Sequence, residues 1–262
     1  MDLGLDGKVA VVTGASKGIG LAVTRALVQE GASVVAGARA VTDDLRALVA
    51  DGYPVRPVAV DLTDPEGPGA LVDQALSAFG GVDVLVNNVG AVRPRPGGFL
   101  SLSDDDWTWS LLINFMAAVR CTRAAVPHLI ERRGTIVTTS SVNAFLPDPL
   151  VIDYSAAKGA LANFSKALSK ELGPTGVRVN TVSPGPVSTD LWLGDDGVAR
   201  TVALATGNAP DAVAQQVAAG SVTGRFTTAQ EVADLVVLLA SGRAGNVTGA
   251  DFVIDGGLVQ TL

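Results

Sequence analysis

Apolar residues come in two rhythms along this chain, short unbroken runs and longer stripes at helical spacing, and the two alternate. Positions 8–13 form a continuous β-branched run that predicts a strand, the glycines of 14–20 predict a turn, and 21–30 carries a helical stripe closed by Gly31. The unit recurs as a strand over 33–38, a helix over 43–51 and a strand over 55–61. A helix from about Pro65, a plausible first-turn proline, to Phe79 follows. A fourth strand is expected over 82–87. Ser103 and Asp106 form an N-cap signature for a long helix ending near Arg133, stopped by Gly134. Then come a strand over 135–139, a helix over 154–172 and a strand over 177–182. Between 190 and 227 the pattern breaks into Gly, Pro, Ala and Asp with two weak helical patches, before a helix over 228–240 and a last strand over 251–254.

Strands that are apolar throughout are buried on both faces, which indicates a parallel sheet covered by helices. About seven of them alternating with helices predict an α/β fold, a single Rossmann-type doubly wound domain over 1–262 rather than a closed eight-fold barrel. The length suits one sizeable core. A long irregular insertion in such a domain is usually functional, so 190–227 is expected to be a substrate lid. Ligands are expected at the carboxyl ends of the strands, where the glycines and polar residues collect.

Composition narrows the possible partners. With Lys+Arg 19 against Asp+Glu 26 the formal charge is −7, so nothing draws the chain to nucleic acid or to anionic membranes. No apolar stretch reaches the ~18–20 residues of a membrane span and no apolar leader opens the chain, so a soluble, cytoplasmic protein is expected. The single cysteine, Cys121, reads as a small core residue, and with one histidine besides no metal site is expected.

The candidate chemistry gathers in Ser141 to Lys158, S-V-N-A-F-L-P-D-P-L-V-I-D-Y-S-A-A-K. On a helix Tyr154 and Lys158 are i and i+4 and share a face. A cation within ~4–6 Å lowers a phenol's pKa by ~1–3 units, toward the range useful for proton transfer. Ser141 is placed to hydrogen-bond the same substrate oxygen. Gly14, Gly18 and Gly20 in T-G-A-S-K-G-I-G allow a tight turn and close approach of a pyrophosphate to a helix N-terminus. The spacing G-x-x-x-G-x-G fits the usual dinucleotide fingerprint only loosely, but it lies between a strand and a helix as the mechanism requires.

These motifs, with N-N-V-G at Asn87 to Gly90, Asn114 in a long helix, Pro184-Gly185 and the C-terminal V-T-G-A-D-F-V-I-D-G-G, occur in an order that resembles the short-chain dehydrogenase/reductase family over nearly the whole chain. Val89 departs from the alanine usual there, a mild change of size. The resemblance implies that Tyr154 is the general acid in reduction and that Ser141 orients the substrate oxygen. It implies that Lys158 also holds the nicotinamide ribose, and that Asn114 bulges its helix and positions a water behind Lys158. Gly14, Ser16, Lys17, Gly18, Ile19 and Gly20 would cradle the cofactor phosphates. Asp61 and Leu62 would meet the adenine, Asn88 and Gly90 the ribose and nicotinamide path, and Pro184, Gly185, Val187 and Thr189 the carboxamide end. A homotetramer of dihedral symmetry is implied, pairing the helices over 104–133 and 154–172 across one two-fold axis and the last strand across another.

Cofactor choice is legible more locally. An NAD-preferring enzyme carries a carboxylate at the end of strand two, which would repel a 2′-phosphate. Here Ala38 stands there, Arg39 follows, and Lys17 lies on the same side with no acid opposing, so NADP(H) is expected over NAD(H). Two charge-assisted bonds of ~1.5–3 kcal/mol, partly screened, give a preference of tens- to a few hundred-fold. The expected activity is hydride transfer between NADP(H) and a small-molecule carbonyl or secondary alcohol. A 3-oxoacyl-carrier reductase shares every catalytic residue, and a non-catalytic NADP(H)-binding redox sensor is the reading from another class. An uncharged, largely apolar substrate is expected between Asn143, Phe145 and Leu146 and, from the lid, Leu191, Trp192 and Leu193. Arg93 and Arg95 read as solvated loop charges or guides for an anionic tail, His128 as a surface residue, Trp107 and Trp109 as packing, and Phe115, Met116 and Val119 as core or subunit contact.

Overall fold

Seven strands form in the computed structural model, which describes residues 2–261: β1 (Val9–Thr13), β2 (Ser33–Ala38), β3 (Val55–Ala59), β4 (Val84–Asn87), β5 (Thr135–Thr139), β6 (Arg178–Pro184) and β7 (Asp251–Ile254). They make one sheet, parallel throughout, in the order β3-β2-β1-β4-β5-β6-β7. Every residue of β1, β4 and β5 is buried, as expected of strands covered on both faces. The edge strands differ. β3 carries Pro57, which an edge tolerates because one side of its backbone needs no ladder bond, and β7 alternates exposed and half-buried positions.

Helices α1 (Gly18–Gln29), α2 (Asp43–Ala50) and α10 (Ala229–Ala240) cover one face, with Val23, Leu27, Leu45, Val232 and Val236 in a core that includes Val12 and Val34. Helices α3 (Gly67–Phe79), α5 (Ala117–Arg132) and α6 (Ile152–Leu172) cover the other, where Leu71, Cys121, Leu129 and Leu172 pack on Val11, Leu85 and Ile136. Cys121 is buried, as expected, and burial pushes its thiol up to about 12. This is the doubly wound arrangement, in which the strands' carboxyl ends open on one side.

Several boundaries differ from the expectation for identifiable reasons. Helix α1 starts at Gly18, so the glycine turn supplies the first helical turn as well. Pro65 lies before α3, because Asp64 closes a turn by accepting from Glu66 N (3.0 Å); the first-turn proline is Pro68. The long helix comes in three pieces: α4 (Asp104–Leu111), a wider π-turn over Leu112–Met116, and α5. Ser103 and Asp106 form the reciprocal capping box their spacing predicts. Arg133, at φ 50°, takes the left-handed position expected of Gly134. Gly134 is needed for another reason: a Cβ there would overlap the Asp83 carbonyl oxygen. Finally, 190–227 holds three helices where two weak patches were expected, α7 (Asp190–Leu193), α8 (Val198–Thr206) and α9 (Pro210–Ala219). Ala199, Ala203 and Val213 form a small apolar cluster of their own.

Candidate active site

At the carboxyl end of β1 the chain turns through Gly14 and Gly18, both at positive φ, into α1. A Cβ on Gly20 would overlap the Gly14 carbonyl oxygen, so only glycine fits there. The turn is braced from below. Thr13 Oγ1 accepts from the backbone N–H of Asn88 (2.9 Å) and Val89 (3.0 Å), and Asn88 Nδ2 donates to the carbonyls of Thr13 (3.0 Å) and Gly14 (3.3 Å). No side chain caps α1 and no acid stands in its first turn, which leaves its N–H groups and dipole free for an anion. Across the turn, Thr189 approaches the place a Gly18 Cβ would take (3.3 Å). Ile19, Ser16, Ala38, Arg39, Asp61 and buried Leu62 border the same space.

At the ends of β4 and β5 the candidate catalytic residues meet. Lys158 is buried on α6, and its Nζ donates to the Thr139 carbonyl (2.9 Å) and lies 5.6 Å from the centroid of the Tyr154 ring. Ser141 Oγ accepts from Asn143 N–H and donates to Asn143 Oδ1, each at 3.2 Å. Asn114 sits in the π-turn, buried, with its Oδ1 accepting from Ala91 N–H (2.9 Å) and its Nδ2 donating to the carbonyls of Ala91 (2.9 Å) and Ser110 (3.1 Å). Gly90 is the spacer of this group: a Cβ there would lie 3.0 Å from Asn114 Oδ1 and 3.6 Å from Lys158 Nζ. A cavity of about 1130 Å³ runs from the glycine turn past Ser141, Tyr154 and Lys158, by Pro184, Gly185, Val187 and Thr189, to Trp192 and α8–α9.

The electrostatics depart from the expectation at two points. Burial pushes the Tyr154 phenol above its ordinary value, and a hydrogen bond with Ser141 opposes this in part; no lowering by Lys158 is seen, since its ammonium is turned to Thr139. Burial instead brings Lys158 itself down to about 8. At the other end Lys17 is not unopposed: its Nζ lies 3.5 Å from Asp190 Oδ2, with both side chains well exposed. Asp61 is held below the usual carboxylate range, chiefly by the Thr63 N–H (2.9 Å), then the Thr63 hydroxyl (2.7 Å).

Other expectations are corrected by packing. Arg95 is no solvated loop charge: its guanidinium is nearly enclosed between Asp106 (2.8 Å) and Asp153 (2.6 Å). Arg93 stacks on Trp109, 3.7 Å from the ring centroid, and neither arginine borders the cavity. Asn143, Leu146, Leu191 and Trp192 do line it, but Phe145 and Leu193 face outward. Phe115 packs edge-on against Phe164. His128, Trp107, Met116 and Val119 are half-buried. Two contributors were missed, the Thr139 carbonyl and Thr13; the threonine before the first glycine was the available signal for the second.

The family profile described as short chain dehydrogenase matches residues 8–195. The chain is 34% identical over 260 residues to 3-oxoacyl-(acyl-carrier-protein) reductase of Thermotoga maritima, covering 97% of this chain and 99% of that protein. It is 35% identical over 262 residues to the 3-alpha-(or 20-beta)-hydroxysteroid dehydrogenase of Mycobacterium bovis, covering 98% of this chain and 92% of that one. Among solved structures it resembles L-sorbose reductase from Gluconobacter frateurii complexed with NADPH and L-sorbose, with a TM-score of 0.92, 36% identity and complete coverage of both chains.

Proposed function

Because this chain belongs to the short-chain dehydrogenase family of oxidoreductases, we propose that it is an NADP(H)-dependent carbonyl reductase or alcohol dehydrogenase. The observation that carries the reading is the convergence of Ser141, Tyr154 and Lys158 on one cavity with the glycine turn. The turn fits a dinucleotide because its glycines admit no side chain and α1 offers uncapped N–H groups. When bound, the nicotinamide supplies or accepts a hydride at the carbonyl carbon.

In reduction the Tyr154 hydroxyl donates its proton to the carbonyl oxygen as negative charge develops there. A phenol kept above its ordinary pKa by burial is protonated throughout the neutral range. Ser141 donates to the same oxygen, so both donors act most strongly in the transition state. Lys158 orients the nucleotide ribose, its ammonium held in place by the Thr139 carbonyl. Asn114 fixes the chain at Ala91 and shapes the space behind Lys158 through which a water relays the replacement proton. Gly14, Ser16, Lys17, Gly18, Ile19 and Gly20 hold the phosphates, and Asp61 and Leu62 the adenine. Asn88 and Gly90 line the ribose path, and Pro184, Gly185, Val187 and Thr189 hold the carboxamide. Arg39, exposed and in no ion pair among the described residues though Asp61 feels its charge, takes the 2′-phosphate. The NADPH named for the sorbose reductase complex agrees with that preference.

The segment 190–227 serves as the lid. Its cavity side is apolar at Trp192, Val202, Val213 and Val217, with Leu146 opposite, and the cavity's cations are Lys17, Arg39 and Lys158, none of them from the lid. Asp190 stands on that wall and Asp148 beside Leu146 across from it, so an uncharged carbonyl compound suits the cavity. Reduction of a carrier-bound 3-oxoacyl chain is the second reading, favoured by the reductase relatives. The assembly expected is a homotetramer pairing through α4–α5 and α6 across one two-fold axis and through β7 across another, and a monodisperse monomer in light scattering would count against it. The test of function is NADPH oxidation with ethyl acetoacetate, L-sorbose, a cyclic ketone and an acetoacetyl thioester. Tight NADPH binding with no turnover of any of them would replace the enzyme reading with the redox sensor.

A further inference from the structure

Arg95 has no part in the proposed chemistry, yet its side chain is only 12% exposed and grips two carboxylates. Nη1 donates to Asp106 Oδ1 at 2.8 Å and Nη2 to Asp153 Oδ2 at 2.6 Å. Its backbone N–H donates to the Leu150 carbonyl at 2.7 Å. One residue therefore joins its own loop after β4, the first turn of α4, and the approach and first turn of α6, where Tyr154 follows Asp153 directly. The circuit closes through Asn114, which at the far end of α4 holds Ala91 at the start of the same loop by both N–H and C=O. Ala91, Val92, Leu150 and Val151 of these joined pieces border the cavity.

The arrangement is a poor way to gain stability. Asp153 Oδ1 and Arg95 Nε are both buried and have no partner, so one short bond opposes the desolvation of that pair, while Asp106 is partly exposed and held by Ser103 as well. Buried ion pairs often stabilise less than apolar groups of the same volume, and their best-attested use is to select one arrangement among several. A planar guanidinium also fixes the angle between its two acceptors, which an ammonium cannot do.

We propose that Arg95, clamped between Asp106 and Asp153, is a positioning residue that sets the Tyr154 hydroxyl against Ser141 and fixes the carbonyl-facing wall of the cavity. The inference rests on the reading of Tyr154 given above. Its test uses the full-length enzyme with NADPH and ethyl acetoacetate, comparing Asp153→Asn and Arg95→Ala with wild type. A small displacement of the reacting groups costs up to about 10²-fold, so kcat should fall by about 10- to 100-fold while the NADPH dissociation constant, set by other elements, stays put. Added guanidinium at millimolar concentration should restore part of kcat in Arg95→Ala and none in Tyr154→Phe. An unchanged kcat in folded Asp153→Asn, or a parallel loss of NADPH affinity, would overturn the proposal. Asp153→Asn keeps the shape and carries the test if Arg95→Ala does not fold. Where wild type turns over none of the carbonyl compounds, the functional reading fails instead. Amide exchange then decides the clamp: faster exchange over 150–156 with α10 unchanged supports it, and unchanged exchange over 150–156 overturns it.

Discussion

The two ends of the cavity hold charge in opposite ways. Around Lys158 most groups are buried and held by neighbours, though Thr139 Oγ1 and Ser140 Oγ have no partner, and burial moves the ordinary protonation of both Tyr154 and Lys158. Around Lys17, Arg39 and Asp61 the side chains are exposed and water competes for every bond. Coulomb energies between exposed charges fall several-fold from their values in the interior. The buried end is therefore where single substitutions should change chemistry by orders of magnitude, and the exposed end is where they should only tune a preference.

The comparison is sharpest at Tyr154. Tyr154→Phe should lower kcat by about 10²–10⁴-fold with NADPH affinity intact, and a variant with near-normal turnover would remove the tyrosine from the mechanism. Gly20→Ala comes next. Its methyl would overlap the Gly14 carbonyl, and overpacking costs about 1–3 kcal/mol, so NADPH should bind about ten- to a hundredfold more weakly in a fluorescence titration.

Lys158 tests whether the buried end trades stability for function. Its pKa is about 8 in the fold against 10.5 for a free side chain. Between those values the unfolded chain binds more protons than the folded one, so wild-type stability rises as pH goes from about 8 to 10.5. Below pH 8 the burial penalty stands in full, at about 3 kcal/mol, less about 1 kcal/mol for the bond to Thr139. Nucleotide-free Lys158→Met should therefore be more stable than wild type by about 2 kcal/mol at pH 7 in urea unfolding, with the gap closing toward pH 10.5. A variant less stable than wild type at pH 7 would show that Lys158 is not held at such a cost.

The smallest effect is expected at the exposed end. With Lys17 drawn toward Asp190, one screened bond from Arg39 remains, and a preference for NADPH over NADH of about tenfold follows. Ala38→Asp combined with Arg39→Leu should reverse the kcat/KM ratio, and a wild-type enzyme already faster with NADH would refute the assignment.

The same contrast separates what the sequence made legible from what it did not. β2, β5 and β7 were located to the residue, because each is a short run with valine, isoleucine or threonine cut off sharply by glycine, charged or polar neighbours. Ser141, Tyr154 and Lys158 were legible because their spacing is local. The pairing of Arg95 with Asp153 was not, since it joins residues far apart in the chain, and neither carries a mark distinguishing it from a surface charge. Lys17 with Asp190 is the same kind of miss. Three helices of 190–219 were blurred into two patches because they are short, α8 and α9 are alanine-rich, and they pack mainly on one another. Phe145 shows the converse limit: an apolar residue near the site need not face it.

The strand order has a consequence for how the molecule is made. β1 lies inside the sheet, β2 and β3 add successively on one side of it, and β4 to β7 add successively on the other. No strand has to be inserted between two that are already paired. As the chain leaves the ribosome, each strand meets an open edge formed by earlier residues, and each crossover helix covers the face just completed. The sheet can grow during synthesis without rearrangement, the three-strand half first.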